Sequence, residues 1–422
     1  MNKLLVIPIL ALILIAFDFY TYPAFATLFK SLFKKKRLRM FSLAYFLITF
    51  LSITGLFFYH FVDPELLSFN LRTPIIGFIF VTYASKILTA LIMLLNDLFQ
   101  FPKKIFKRLT RKPDAEKEPG KKSLMSRSEF IKKTAATAAM VPFTTLSFGI
   151  LTGVHDYRII RKKIYLPNLP KAFDGFKIGQ ISDIHSGSFF NKKAVKGGVE
   201  MLLDEKADSI FFTGDLVNNE TKEVDEYIDI FKKVEAPYGV YSILGNHDYG
   251  NYKVWLNPED KKQNMLDMYK AHELLGWDLL NNENRILEID GEKIAIIGIE
   301  NWGTGRFPKY GKVHQAYNGI NEADVKLLLS HDPSHWDAEI IPEYKDIDVM
   351  FAGHTHGFQF GLETKNFKWS PSQYIYKQWA GLYKNKEQYL YVNRGFGFLG
   401  FPGRVGIAPE ITILELKKGE QA

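Results

Sequence analysis

Residues 40–62 form a run of 23 positions without a charged side chain. A stretch of that length and apolarity is compatible with little besides a helix crossing a bilayer, where every backbone polar group must be satisfied internally. Three more segments share the property. Residues 4–29 are apolar but for interruptions at Asp18 and Pro23, residues 74–95 carry one charge at Lys86, and residues 134–154 are uncharged and rich in Ala and Thr. Each reaches the roughly 20 residues needed to span a hydrocarbon core, so about four spans are expected; three spans and a surface helix are the alternative.

Charge supports this reading. The chain of 422 residues has a formal net charge of +8, but positions 1–153 hold 21 Lys and Arg against 8 Asp and Glu, leaving 33 against 38 for the rest. The surplus sits beside the apolar runs. Lys30, Lys34, Lys35, Lys36, Arg37 and Arg39 follow the first, and twelve Lys and Arg from Lys103 to Lys133 follow the third, whereas Asp63, Glu65 and Arg72 lie between the second and third. Positive residues stay cytoplasmic, so the first and third loops are cytoplasmic and four spans leave the C-terminal part outside. No nucleic-acid partner is expected. Cysteine is absent, which excludes disulfides, zinc-thiolate sites and thiol catalysis.

The organisation that follows is a three-span region over 1–111 with basic cytoplasmic loops, a basic linker over 112–133, a fourth span or signal-anchor-like segment over 134–154, and an α/β domain over 155–422. Ser126-Arg127-Ser128-Glu129-Phe130-Ile131-Lys132 resembles a twin-arginine export signal with Ser128 in place of the second arginine. It reads as a signal-like segment retained as an anchor. Asp18 and Lys86 are ionisable groups inside the apolar runs, and a structural ion pair is the simpler reading than a transport pathway, since no second intramembrane polar set is evident.

Beyond residue 165 the pattern alternates. Strands are expected over 177–182, 209–213, 239–244, 294–299, 325–330 and 349–352, with helical spacing over 194–203, 224–234 and 265–275. Five strand ends run into Asp183-Ile184-His185, Gly214-Asp215, Gly245-Asn246-His247-Asp248, His331-Asp332 and Gly353-His354-Thr355-His356-Gly357; a sixth motif is Asn393-Arg394-Gly395. Ligand groups gather beyond the carboxyl ends of strands in α/β sheets, so these loops should converge. Of ten histidines, His185, His247, His331, His354 and His356 follow strands, whereas His60, His155, His272, His314 and His335 do not and should be structural or superficial. Carboxylate, imidazole and amide oxygen without sulfur suit a pair of divalent cations. Arg306, after the strand over 294–299, and Arg394 could clamp phosphate; pairing with a carboxylate is the alternative for Arg394. Trp369, Tyr374, Tyr376, Trp379 and Tyr383 make either a packed loop or an apolar wall for a substrate.

These motifs, over about residues 177–416, resemble the calcineurin-like metallophosphoesterases, in particular their membrane-anchored or exported bacterial branch. The resemblance implies an α/β fold, the calcineurin-like β-sandwich flanked by helices, as the catalytic domain behind the α-helical transmembrane region. It implies two divalent ions (Mn, Fe, Zn or Co), one held by Asp183, His185, Asp215 and His356 and the other by Asp215, Asn246, His331 and His354. A hydroxide held between them would attack phosphorus in line. His247 resembles the family's non-ligand histidine, which stabilises phosphoryl oxygens or protonates the leaving group. Asn218 stands where many relatives have the carboxylate that orients this ring, with Asp248 as the alternative partner, and Phe358 stands where close relatives have a second glycine. The expected function is hydrolysis of envelope, lipid or nucleotide-type phosphoesters at a bacterial inner membrane, on the extracytoplasmic side, with manganese among the metals and phosphodiesters among the substrates. A lipid A precursor diphosphate, or metal and phosphate sensing without turnover, are the alternatives.

Overall fold

The computed structural model describes residues 3–30, 33–61, 69–109, 125–364 and 367–420, and the chain divides into two compact units, Met1–Phe148 and Gly149–Ala422. The first holds helices α1 (Lys3–Lys30), α2 (Lys35–Phe61), α3 (Phe69–Leu109) and α4 (Arg127–Ala138), with α5 (Met140–Leu151) running to its boundary. Among the described residues, four segments are long and apolar enough to cross a membrane: Val6–Lys30, Lys35–Phe61, Pro74–Lys103 and Arg127–His155. The linker expected over 112–133 lies outside the described residues as far as 124, and from Arg127 onward it is already helical. The reason is local. The Ser126 hydroxyl accepts the Glu129 N–H at 3.1 Å, an N-cap with the Ser-x-x-Glu spacing of a capping box, and Lys133 pairs with Glu129 one turn on at 2.8 Å. The segment that resembles an export signal is thus a helix start, eight residues before the apolar run expected from 134.

Asp18 of α1 is fully buried. Its carboxylate accepts from Lys86 Nζ of α3 at 2.6 Å, Thr49 Oγ1 of α2 at 2.6 Å, Tyr83 Oη at 2.9 Å and Tyr45 Oη at 3.2 Å. The structural ion pair expected of Asp18 and Lys86 is therefore present, and its shell is completed by hydroxyls scattered over α2 and α3, which are invisible as a set until the helices pack. In an apolar phase these donors compensate a charge that would otherwise be too costly to bury.

The second unit is built on two six-stranded sheets. The strands in chain order are β1 (Arg158–Leu166), β2 (Lys177–Ile181), β3 (Ser209–Phe212), β4 (Val240–Ser242), β5 (Asp278–Leu279), β6 (Glu283–Ile289), β7 (Glu292–Gly298), β8 (Val325–Leu329), β9 (Val349–Ala352), β10 (Leu362–Glu363), β11 (Lys368–Trp369), β12 (Gly381–Asn385), β13 (Gln388–Val392) and β14 (Glu410–Lys418). One sheet has the order β1-β14-β2-β3-β4-β5 and the other β12-β13-β9-β8-β7-β6, with β10 and β11 forming a separate ribbon. Both sheets are mixed: β14 with β2, β12 with β13 and β6 with β7 are antiparallel, and the other neighbours are parallel.

Alternation along the strands fixes the layers. In β8, Val325, Leu327 and Leu329 face the core shared with Phe211, Ile178 and Leu414 of the other sheet, while Leu328 faces outward. Phe351 and Tyr391 repeat this in β9 and β13, with Met350 and Val392 outward. Ile210 and Phe212 of β3 meet Val199 and Leu202 of helix α6 (Lys192–Asp204) and Met268 and Leu275 of helix α7 (Pro258–Leu275). The outcome is a β-sandwich flanked by helices. The helix expected over 224–234 is mostly 3₁₀ over Thr221–Tyr227, with α-helix over Ile228–Phe231. His272 and His335 are buried and bonded to Ser242 and Ser330, as structural histidines should be.

The Asp18–Lys86 pair gives a measurable expectation. Asp18→Asn keeps one acceptor oxygen for the hydroxyls but strips Lys86 of its counter-charge, which should destabilise the detergent-purified chain by about 3–5 kcal/mol. Adding Lys86→Met should recover more than half of the loss in thermal unfolding. A double variant as unstable as the single one would show that the pair does not hold the helices together.

Candidate metal centre

The sandwich brings strand ends from both sheets to one place. Asp183 and His185 follow β2, Asp215 follows β3, and Asn246 and His247 follow β4; from the second sheet, His331 follows β8 and His354 and His356 follow β9. Backbone hydrogen bonds join the loops: Asp183 N–H donates to Gly214 O at 2.9 Å, Gly353 N–H to His331 O at 2.9 Å, and Gly397 N–H to Asp183 O at 2.9 Å. The last contact requires glycine, because a Cβ at Gly397 would strike the Ile184 carbonyl.

The backbone here is strained. Asp183, His185, Asp215, His354 and His356 all have positive φ, between 47° and 71°, a region that costs a non-glycine residue about 1–3 kcal/mol. Phe358, at φ 51°, takes the same conformation where close relatives are expected to have glycine. Strain of this kind persists only where surrounding contacts over-determine it. Asp248 is one source of those contacts: its carboxylate accepts from the N–H groups of Gly245, Leu216, Asp215 and Val217 at 2.8, 2.8, 2.9 and 3.2 Å.

Two groups of donor atoms result, Asp183 with His185 and His356, and Asp215 with His331 and His354. Within the first, His356 Nε2 lies 3.2 Å from Asp183 Oδ1 and 3.0 Å from His185 Nε2. Within the second, His331 Nε2 lies 3.2 Å from Asp215 Oδ2 and 3.3 Å from His354 Nδ1. Asp215 Oδ2 is also 3.6 Å from His185 Nε2, so one carboxylate oxygen stands between the groups.

Electrostatics shows what the cluster lacks. Burial raises the pKa of Asp183 and Asp215, but the neighbouring imidazoles more than offset it and hold both carboxyls below the usual range. Burial likewise lowers His331, yet Asp215 and Asp183 carry it up to about 10. The carboxylates thus draw positive charge into a dry site. A further atom points the same way: Asn246 Oδ1 is buried without a hydrogen-bond partner. Buried polar atoms are seldom left so, and an amide oxygen beside carboxylates and imidazoles completes an O/N donor set suited to divalent transition metals.

His247 is oriented differently from expectation. Its Nδ1 bonds the main-chain carbonyl of Asn218 at 2.6 Å, and the Asn218 side chain instead bonds Ser188. Half-buried Glu223 fixes the peptide of that carbonyl by accepting the Asn218 N–H at 2.6 Å and the Asn219 N–H at 3.3 Å. Asp248 turns to backbone N–H groups rather than to His247. Arg394 corrects a second expectation: its guanidinium pairs with Glu410 and, at 2.6 Å, with Glu363, so the carboxylate-pair alternative describes it. Arg306 is exposed, and the ring of its neighbour Phe307 lies 4.7 Å from that of His354.

Two residues, Tyr252 and Arg404, escaped the sequence reading, and Tyr376 entered it only within the aromatic run. Tyr252 stacks on His247 at 4.3 Å and receives a hydrogen bond from Asn246 Nδ2 at 2.8 Å. Tyr376 bonds His354 Nε2 at 2.8 Å, which leaves Nδ1 as the inward atom of that ring. It belongs to the aromatic run, whose Trp379 is buried against Ile407, so that segment is part packing and part site. Arg404, fully buried, donates to the carbonyls of Arg394, Gly395 and Gly397 and approaches His356 Nδ1 at 3.4 Å. Tyr252 and Arg404 belong to no motif; only the fold brings them in.

Comparison with known proteins agrees with this architecture. Residues 2–154 match the family described as probable calcineurin-like phosphoesterase, transmembrane domain, and residues 176–358 match calcineurin-like phosphoesterase. An uncharacterized metallophosphoesterase of Bacillus subtilis, YkuE, is 29% identical over 69% of this chain and 98% of its own length. A transmembrane protein with metallophosphoesterase domain from Danio rerio is 25% identical over 70% of this chain and 67% of its own. A second Bacillus subtilis metallophosphoesterase, YkoQ, is 28% identical over 50% and 74% respectively. With both domains matched in order, the chain belongs to the calcineurin-like metallophosphoesterases, phosphoric ester hydrolases, as a membrane protein whose transmembrane domain precedes the catalytic one.

Proposed function

We propose that this protein hydrolyses phosphoesters with two divalent cations, one held by Asp183, His185, His356 and Asp215, the other by Asp215, Asn246, His331 and His354. The observation that carries the reading is the position of Asp215 Oδ2, within 3.6 Å of His185 and 3.2 Å of His331. When bound, such a pair supplies Lewis acidity toward the phosphoryl group and makes a coordinated water acidic enough to serve as nucleophile.

The chain's own residues do the rest. Because a carbonyl only accepts, the Asn218 oxygen keeps the proton of His247 on Nδ1, and Nε2 is the atom that exchanges a proton with the leaving oxygen. Tyr252 stacked on the ring holds its plane. Tyr376 fixes the tautomer of His354 from behind, the usual role of a hydrogen-bond partner to a ligating imidazole. Arg306 is available to an incoming phosphate from the exposed loop beside His354.

We place the catalytic domain on the extracytoplasmic side of a bacterial inner membrane. Support comes from the basic loops after the first and third spans, which the positive-inside rule assigns to the cytoplasm. A phosphoester of the envelope, lipid-borne or nucleotide-like, is then the substrate class within reach. A C-terminal alkaline phosphatase fusion should be active in intact cells; an inactive fusion at normal expression would put the domain in the cytoplasm.

Two assays test the chemistry. The purified chain should cleave bis(p-nitrophenyl) phosphate or p-nitrophenyl phosphate with manganese added, and Asp215→Asn should lower the rate by more than about a thousandfold while reducing bound metal by mass spectrometry. Activity surviving that change would sink the mechanism. His247→Ala should cost about 100- to 10,000-fold in kcat. Asn218→Ala should cost less than about tenfold, because the main-chain acceptor remains. Equal losses for the two would mean that the amide, not the carbonyl, positions the ring.

A further inference from the structure

Past the last candidate span, the four most exposed large apolar side chains are Leu256 at 99%, Val254 at 87%, Tyr374 at 74% and Ile375 at 69%. They are not scattered. Val254 and Leu256 sit on the loop that carries Tyr252, and Tyr374 and Ile375 immediately precede Tyr376. Those two tyrosines are the ones bonded to Asn246 and His354. The loops whose tyrosines bond residues of the metal centre are therefore the loops that hold the most exposed apolar side chains out to solvent.

Single exposed apolar residues need no explanation, but apolar tips on two loops bonded to one site mark a surface that is covered in use. We infer that these two loops form a rim that seats in the lipid bilayer, so that the centre meets phosphoesters of membrane amphiphiles at the headgroup level. Two observations commit the rim to lipid. First, the chain carries its own four-helix transmembrane domain, so a bilayer is the apolar phase always within reach. Second, the composition is interfacial. Tyr252, Trp255 and Tyr374 stand beside the aliphatic tips, Lys253 lies over the Trp255 ring at 4.6 Å, and exposed Lys377 follows Tyr376. Aromatic rings and lysines flanking aliphatic tips is the pattern of segments that anchor at the membrane–water boundary.

The inference rests on the metal centre being the catalytic site, and its test is independent of turnover. The chain contains no cysteine, so Leu256→Cys and Ile375→Cys each give one labelling site on the full-length protein, with Leu274→Cys, exposed on α7, as the reference. Each nitroxide-labelled protein is reconstituted in vesicles of phosphatidylethanolamine and phosphatidylglycerol and measured by power-saturation EPR against oxygen and a nickel chelate. Labels at 256 and 375 should show an oxygen-to-nickel accessibility ratio at least about twofold above that at 274. A ratio equal to the reference at either position overturns the inference. So does a ratio that rises only when a second protein is added, which would give the rim to a protein partner. Hydrolysis of bis(p-nitrophenyl) phosphate by the same samples is scored separately: water-exposed labels on an active protein refute the rim and leave the phosphohydrolase standing, and inserted labels on an inactive one do the reverse.

Discussion

A single buried carboxylate, Asp215, stands between two clusters of imidazoles, and much of the catalytic domain can be understood as the apparatus that keeps it there. Its oxygen lies within 3.6 Å of His185 and 3.2 Å of His331, side chains contributed by different sheets. Holding ionised acids in a dry site requires compensating positive charge, and holding them at this convergence requires five residues in a left-handed backbone conformation. Neither would persist on a soft scaffold. The two sheets share one core, and Asp248 clamps four N–H groups of the 215–217 and 245 turns, so the strained loops have few alternative arrangements. Arg404 does the same for the turn at 394–397 from below.

This division explains what could be read from the sequence. The donor residues were legible because each follows an apolar, β-branched or aromatic strand and precedes a turn, a short-range signal that needs no knowledge of the fold. The sandwich itself followed from the resemblance rather than from periodicity. Tyr252 and Arg404 were not legible as site residues, and Tyr376 only as a member of an aromatic run, because their roles exist only across loops distant in sequence. Asn218 shows a subtler limit. The position was found, but the group that acts there is the carbonyl every residue has, so the side chain gave no information about it. Arg394 is the converse: a suggestive side chain, taken up by Glu410 and Glu363 on neighbouring elements.

The transmembrane unit repeats the lesson. Length and lack of charge located the spans, and Asp18 and Lys86 stood out as ionisable residues in apolar runs. Their pairing, with Thr49, Tyr45 and Tyr83 completing the shell, depends on which faces of α1, α2 and α3 meet. Helical periodicity does not specify that when every face of a helix is apolar. A buried pair in lipid is also the kind of contact that selects one packing among several of similar apolar area, because any other register leaves a charge unpaired.

The same logic joins the rim to the centre. Tyr252 and Tyr376 lie on different loops, yet their hydrogen bonds end on Asn246 and His354, residues proposed to hold the same cation. Each loop is therefore tethered at one point to a donor residue, while its tip carries the most exposed apolar side chains of the domain. A loop held this way cannot shift far without disturbing either the amide oxygen of Asn246 or the ring orientation of His354. The rim and the donor set behave as one hydrogen-bonded unit, so the surface that meets the substrate's environment and the atoms that act on its phosphate are positioned by the same few contacts.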